Sequence, residues 1–182
     1  LPSGVPVIED NNIVFINETD DTRKQEIALK LYKESLDALD NNYEDIMLLT
    51  PSNKGPSGRR NMNKKLQDIV NKSDGKNEVI LGAAGGEDKK RCYRKNDYIT
   101  ITSNQYGMLT DTNKEVDIIN GDLGYITRVN PEGITFQIEK ESYTIEKSSI
   151  SGLIDHSWAI TIHKSQGGQA SHVVIVVPEN AS

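Results

Sequence analysis

The chain has one cysteine, one tryptophan and two phenylalanines among its 182 residues. No apolar run approaches the ~20 residues needed to span a bilayer. Lone Cys92 excludes an internal disulfide framework and fits a reducing cytoplasm, and no partner that would activate it as a nucleophile is recognisable nearby. With 5% aromatic and 35% hydrophobic residues and a mean hydropathy of -0.56, the composition is that of a soluble globular protein with a modest core. The opening LPSGVPVIEDNN lacks a basic start, an apolar h-region and an initiator Met. No signal peptide is read there, and the chain is expected to be a fragment or processed product. Its length allows one ordinary domain or two small ones sharing an interface. No Cys or His spacing predicts a metal site, and His156 and His172 read as structural or exposed.

A Walker A loop is missing as well. The least generic stretch, ITIHKSQGGQ at residues 160–169, sets a Lys-Ser pair beside a Gly pair after a β-prone run. A Walker A loop needs its glycines before the lysine, so that backbone N–H groups wrap the phosphates. Here Gly167 and Gly168 follow Lys164 and Ser165. The stretch therefore needs another explanation.

Net charge is -6, which counts against a nucleic-acid partner until the distribution is read. Residues 51–95 carry twelve Lys or Arg against five Asp or Glu, and the rest of the chain carries nine against twenty-two. One basic cluster is Lys54, Arg59, Arg60, Lys64 and Lys65; the other is Lys89, Lys90, Arg91, Arg94 and Lys95. Such clusters can supply phosphate contacts on an otherwise acidic protein.

Periodicity divides the chain. Residues 13–16 read as a buried strand, and Thr22 to Gln25 has the form of a helix capping box. Ile27, Ala28, Leu31, Tyr32, Leu36 and Leu39 then fall at helical spacing, and residues 46–49 form the next strand. Residues 13–50 thus predict a β-α-β unit with parallel strands. A basic, Gly-containing loop follows, then a helix with Met62, Leu66, Ile69 and Val70 on one face. In an open parallel sheet, ligands gather at the carboxyl ends of strands, where this loop must lie. Residues 71–90 read as an exposed connection with at most a short strand at Val79 to Leu81. From 97 to about 147 the pattern alternates in five short strands, which predicts a small antiparallel barrel. Two apolar strands at 158–162 and 173–177 then return to the first sheet. The expected fold class is α/β, with the barrel inserted into a parallel-sheet domain.

The order of these pieces resembles the second motor domain of RecD/TraA-type superfamily 1 DNA helicases, which include the exodeoxyribonuclease V alpha subunit. Residues 159–167 are similar to that group's motif V. Three further matches fall in the family order: Leu49-Thr50-Pro51 with Lys54-Gly55-Pro56-Ser57-Gly58, then Asn63 and Leu66-Gln67; Asn104-Gln105-Tyr106; and Ile119-Asn120-Gly121-Asp122-Leu123-Gly124. Together they span residues 13–177. The resemblance implies a RecA-like domain at 1–96 and 151–182, interrupted by an SH3-like barrel at 97–150. It also implies, in the intact protein, ATP-driven movement along single-stranded DNA in the 5' to 3' direction, in repair or recombination. Gln169 departs from the family's usual Glu, at a position that helps to hold the nucleotide's ribose. The Walker motifs and motif VI are not found in the sequence. A fragment without catalytic residues of its own is therefore expected.

The chemistry of the residues fits such a role. Thr161, His163 and Ser165 can donate hydrogen bonds to phosphate oxygens and Lys164 supplies charge, which suits a backbone grip that reads no bases. The resemblance adds Thr50, Pro51, Lys54, Gly55, Gly58, Asn104 and Asn120 to the DNA-binding set, and turns Gly167 and Gln169 toward the nucleotide. Expected partners are single-stranded DNA, the protein's own N-terminal motor domain and the subunits of a nuclease complex, with no membrane. ATP and Mg²⁺ belong to the full-length protein, and none is expected for the fragment alone. Two rival readings are a non-enzymatic nucleic-acid-binding module and the helicase part of a conjugative relaxase. Trp158 and Tyr106 read either as base-stacking platforms or as core.

Overall fold

A computed structural model describes residues 7–10, 13–82, 91–165 and 168–177. Residues 83–90, with the expected cluster members Lys89 and Lys90, lie outside the described residues, as do Gln166, Gly167 and residues 178–182. The chain divides into two compact units, one formed by residues 1–66 with 158–182 and the other by residues 67–157.

In the first unit, strands β1 (Val7–Asp10) and β2 (Ile13–Ile16) form an antiparallel hairpin. Helix α1 (Asp21–Ala38) follows. Strand β3 (Ile46–Thr50) is the centre of a three-stranded parallel sheet, flanked by β13 (Ala159–Thr161) and β14 (His172–Ile175). The sheet brings together segments about 110 residues apart in sequence, as the two apolar returns predict. Strand β2 does not join it. Four apolar residues specify a strand but not its partner, and β2 finds its hydrogen bonds locally in β1.

Helix α1 is capped by Asp20, upstream of the Thr22 that the capping box predicts. Asp20, in extended conformation, accepts from the Arg23 N–H at 2.7 Å. Gln25 cannot reach back to complete a box, because it is buried and its Nε2 donates to the Pro56 carbonyl. Ala28, Tyr32 and Leu36 form the buried stripe of the helix, which packs on β3 and β14.

Helix α2 (Arg59–Val70) carries Met62, Asn63 and Leu66 in the first unit and Gln67 in the second. The second unit is mainly antiparallel. Its five-stranded sheet has the order β11 (Glu141–Glu146), β10 (Gly133–Ile138), β9 (Leu123–Asn130), β6 (Tyr98–Ile101) and β12 (Ile154–His156). Two hairpins accompany it, β4 (Glu78–Leu81) with β5 (Arg91–Arg94) and β7 (Gln105–Leu109) with β8 (Glu115–Ile118). Helix α3 (Lys147–Leu153) joins β11 to β12. Ile99, Ile126, Ile134, Phe136 and Ile154 are all at most 1% exposed and form one core with Tyr93 and Tyr143. The alternation expected from residue 97 onward is present in β9 and β11, whereas β6 and β10 are buried at nearly every position.

Asp97, at the entry to β6, is fully buried. Its carboxylate accepts from Gln67 Nε2, Asn71 Nδ2 and the Arg94 N–H, each at 2.7 Å, and His156 Nε2 lies 3.0 Å from Oδ2. The His156 ring stacks on Tyr93 at 4.7 Å. His156 is thus a structural residue of this unit. Cys92 is half-buried, and burial, with Glu78 beside it, pushes its thiol up to about 11, which leaves it protonated at neutral pH. Among the described residues no helix is long and apolar enough to cross a membrane.

Candidate functional site

The parallel register sets Thr161 opposite Thr50, so β3 and β13 deliver their following loops to the same edge of the sheet. Both loops leave from strand carboxyl ends. The first loop, residues 51–58, is held from within. Thr50 is 1% exposed, and its hydroxyl donates to the Ser57 carbonyl at 3.0 Å, with that of Ser52 further off at 3.3 Å. Ser52 Oγ donates to the Lys54 carbonyl at 2.6 Å and accepts from the Lys54 N–H at 3.1 Å. Thr50 therefore shapes the loop from below rather than facing solvent.

Two glycines make that path possible. Gly55 has φ +85°, a conformation open to Gly at little cost. Gly58 is buried, and a Cβ there would sit 2.1 Å from the Lys54 carbonyl oxygen, against backbone that cannot move aside. Helix α1 fastens the far side: Asp21 accepts from the Ser57 hydroxyl, while Gln25, one turn on, holds Pro56. Asn61 Nδ2 donates to the Gly55 carbonyl at 2.7 Å. Pro51 and Lys54 are left exposed at the surface of a fixed loop.

The second loop depends on Asn63. Its Nδ2 donates to the Ala159 carbonyl at 2.7 Å and its Oδ1 accepts from the Ala159 N–H at 2.8 Å. A single side chain thus completes the outer edge of β13, where no further strand pairs among the described residues. Strand β13 stops at Thr161, earlier than the apolar run predicts, and residues 162–165 turn into a 3₁₀ helix. That turn is closed by Ser165 Oγ donating to the Ile162 carbonyl at 2.8 Å and by the Gly168 N–H donating to Ser165 O at 2.9 Å. His163 and Lys164 are exposed, and Thr161 and Ser165 are half-buried. Among the described residues, neither Lys54 nor Lys164 makes an ion pair, and both are exposed.

The other expected residues fall elsewhere. Gln169 is exposed in the segment that leads to β14, and Gly167 lies outside the described residues. Asn104 and Asn120 belong to the second unit, where they meet each other: Asn104 Oδ1 accepts from the Asn120 N–H at 2.8 Å. Trp158 is 2% exposed and is core, whereas Tyr106 is 72% exposed. Among the described residues no group of three or more His, Cys, Asp or Glu gathers as a metal site. Asn63 carries no task in the motif that contains it, and its buried hold on an edge strand 96 residues away has no local signal.

No family model matches the chain. Over 75 residues, 39% of its length, the chain is 35% identical to RecBCD enzyme subunit RecD of Buchnera aphidicola subsp. Acyrthosiphon pisum. Over 134 residues, 74% of its length, it is 27% identical to the ATP-dependent RecD2 DNA helicase of Deinococcus radiodurans. These matches cover 12% and 16% of those proteins, so the chain spans a small part of the length of either. Both similarities support a relationship to RecD-type helicases.

Proposed function

We propose that this chain is part of the second motor domain of a RecD-type DNA helicase and that its two strand-end loops grip the backbone of single-stranded DNA. The observation that carries this reading is the Thr50–Thr161 register, which sets the exposed Lys54 loop beside the exposed His163-Lys164 turn. Hydroxyl, imidazole and ammonium groups on a rigid edge suit phosphate contacts that position a strand without reading its sequence. In this reading the parallel sheet is RecA-like, the antiparallel unit contains the SH3-like insertion, and the longer protein moves 5' to 3' on ATP. Gln169 offers one exposed amide toward a nucleotide, which is too little for a site by itself. ATP and Mg²⁺ are accordingly assigned to the longer protein, together with its other motor domain and any nuclease subunits.

The test is Lys164→Ala. Single-stranded oligonucleotides of different sequence should all bind more weakly to the variant, by similar factors. The slope of log affinity against log salt should become shallower by about 0.7, the value for one lost phosphate contact on a single strand. Thermal stability should not change, because an exposed unpaired charge contributes little to it. Unchanged affinity and slope at low salt would remove Lys164 from the interface.

A further inference from the structure

We infer that Tyr106 is a stacking platform for an unpaired base and that Asn104 and Asn120 are its positioning residues, an inference that rests on the single-stranded DNA reading above. Strand β7 carries one more residue than β8 between the pairs Gln105↔Ile118 and Met108↔Val116. Such a bulge re-aims side chains, and here Gln105, Tyr106 and Gly107 are all exposed in succession. Gly107 takes φ +62°, and its N–H donates to Asp117 Oδ1 at 2.8 Å, which pins the bulge across the hairpin. Tyr106 is the most exposed large hydrophobic side chain among the described residues.

An exposed aromatic ring is ordinarily a free rotor, but this one is tethered. Asn104 Nδ2 donates to the Tyr106 hydroxyl at 3.1 Å, and Asn104 is itself fixed by the Asn120 N–H. The turn that carries Asn120 is fixed in turn. Gly121, at φ +108°, donates its N–H to Ile101 O at 3.0 Å, and the Ile119 N–H donates to Asp122 Oδ2 at 2.7 Å. The chain of contacts holds the phenol by its tip and leaves the ring exposed. Pre-ordering a ring in this way lowers the entropy lost when a flat partner docks.

Local charge decides which part of a nucleic acid that partner is. From residue 102 to 123 the acids are Asp111, Glu115, Asp117 and Asp122, and the one base, Lys114, is paired with Glu141. Within this segment no unpaired cation is present to meet a phosphate, whereas the ring offers a base a face to stack on. Asn104 and Asn120 thus act through Tyr106 instead of touching phosphate.

Fluorescence anisotropy with two oligonucleotides tests this. One is single-stranded oligo-dT; the other has the same length and sugar-phosphate backbone with its central nucleotides abasic. Tyr106→Ala should weaken oligo-dT binding on the order of tenfold and leave binding of the abasic strand unchanged. Tyr106→Phe keeps the ring and Asn104→Ala releases it, so each should give a smaller loss that is again confined to oligo-dT. Lys164→Ala should weaken both strands alike. If Tyr106→Ala binds oligo-dT like the parent, or weakens both strands equally, the stacking role is overturned while the phosphate grip stands. If the parent binds neither strand, both readings fall.

Discussion

Replacing Asp97 by alanine is expected to lower the unfolding free energy of the antiparallel unit by about 3 kcal/mol. The carboxylate is fully buried and answers three N–H donors at 2.7 Å, with the His156 ring nitrogen at 3.0 Å. Without it, the half-buried Arg94 N–H loses its side-chain acceptor, and Gln67 and Asn71 are left with the Cys92 and Lys95 carbonyls. Asp97→Asn restores the shape but places an amide donor among donors, so it should recover less than half of the loss. Five of the seven tyrosines lie in this unit, and their near-ultraviolet circular dichroism followed in urea reports its transition. A loss below about 1 kcal/mol would mean that the donors find other partners, and the buried network would not be what holds residues 67, 97 and 156 together.

The second large effect is expected at Asn63. Asn63→Ala removes both bonds to Ala159, leaving a buried N–H and a buried C=O unanswered on the edge of β13. The expected cost is about 2–4 kcal/mol, taking each stranded group at the usual penalty. Asn63→Asp separates the two bonds: its carboxylate still accepts from the Ala159 N–H but faces the Ala159 carbonyl with a second acceptor, so it should not rescue. Trp158, the sole tryptophan, is buried in the same unit next to Ala159 in sequence, and its fluorescence reports the transition. The substitution should also weaken single-stranded DNA binding, because β13 delivers His163 and Lys164. A stable Asn63→Ala variant with parental binding would show that the edge strand needs no such support.

These two residues mark where the sequence stops being legible. The stripe of α1, the apolar runs of β3 and β14, and the alternation of β9 and β11 are local patterns, and each is present in the structure. The choice among Asp20, Asp21 and Thr22 as helix cap is not local, since Asp21 is taken by Ser57 and Gln25 by Pro56. The pairing of β2 with β1 in place of β3 is likewise decided by partners that periodicity does not encode. Asn63 and Asp97 act across 96 and 59 residues of sequence, and a lone Asn or Asp in a polar stretch carries no mark of such a partner. At the candidate site the exposed groups Lys54, His163 and Lys164 were readable from residue type and loop position. The buried duty of Thr50 and the tether between Asn104 and Tyr106 were not, because both depend on distances within the folded chain.

The most direct measurement is a titration of the ¹⁵N-labelled chain with single-stranded oligo-dT, followed through its backbone amide resonances; at 20.2 kDa the chain is small enough for assignment. The expected result is that the largest shifts fall on residues 51–60 and 161–169, with a second set at 104–107 and 119–121 from the Tyr106 hairpin. Increasing salt should diminish the first set most, because phosphate contacts release counterions. Shifts that spare 51–60 and 161–169 while the DNA demonstrably binds would contradict the strand-end grip.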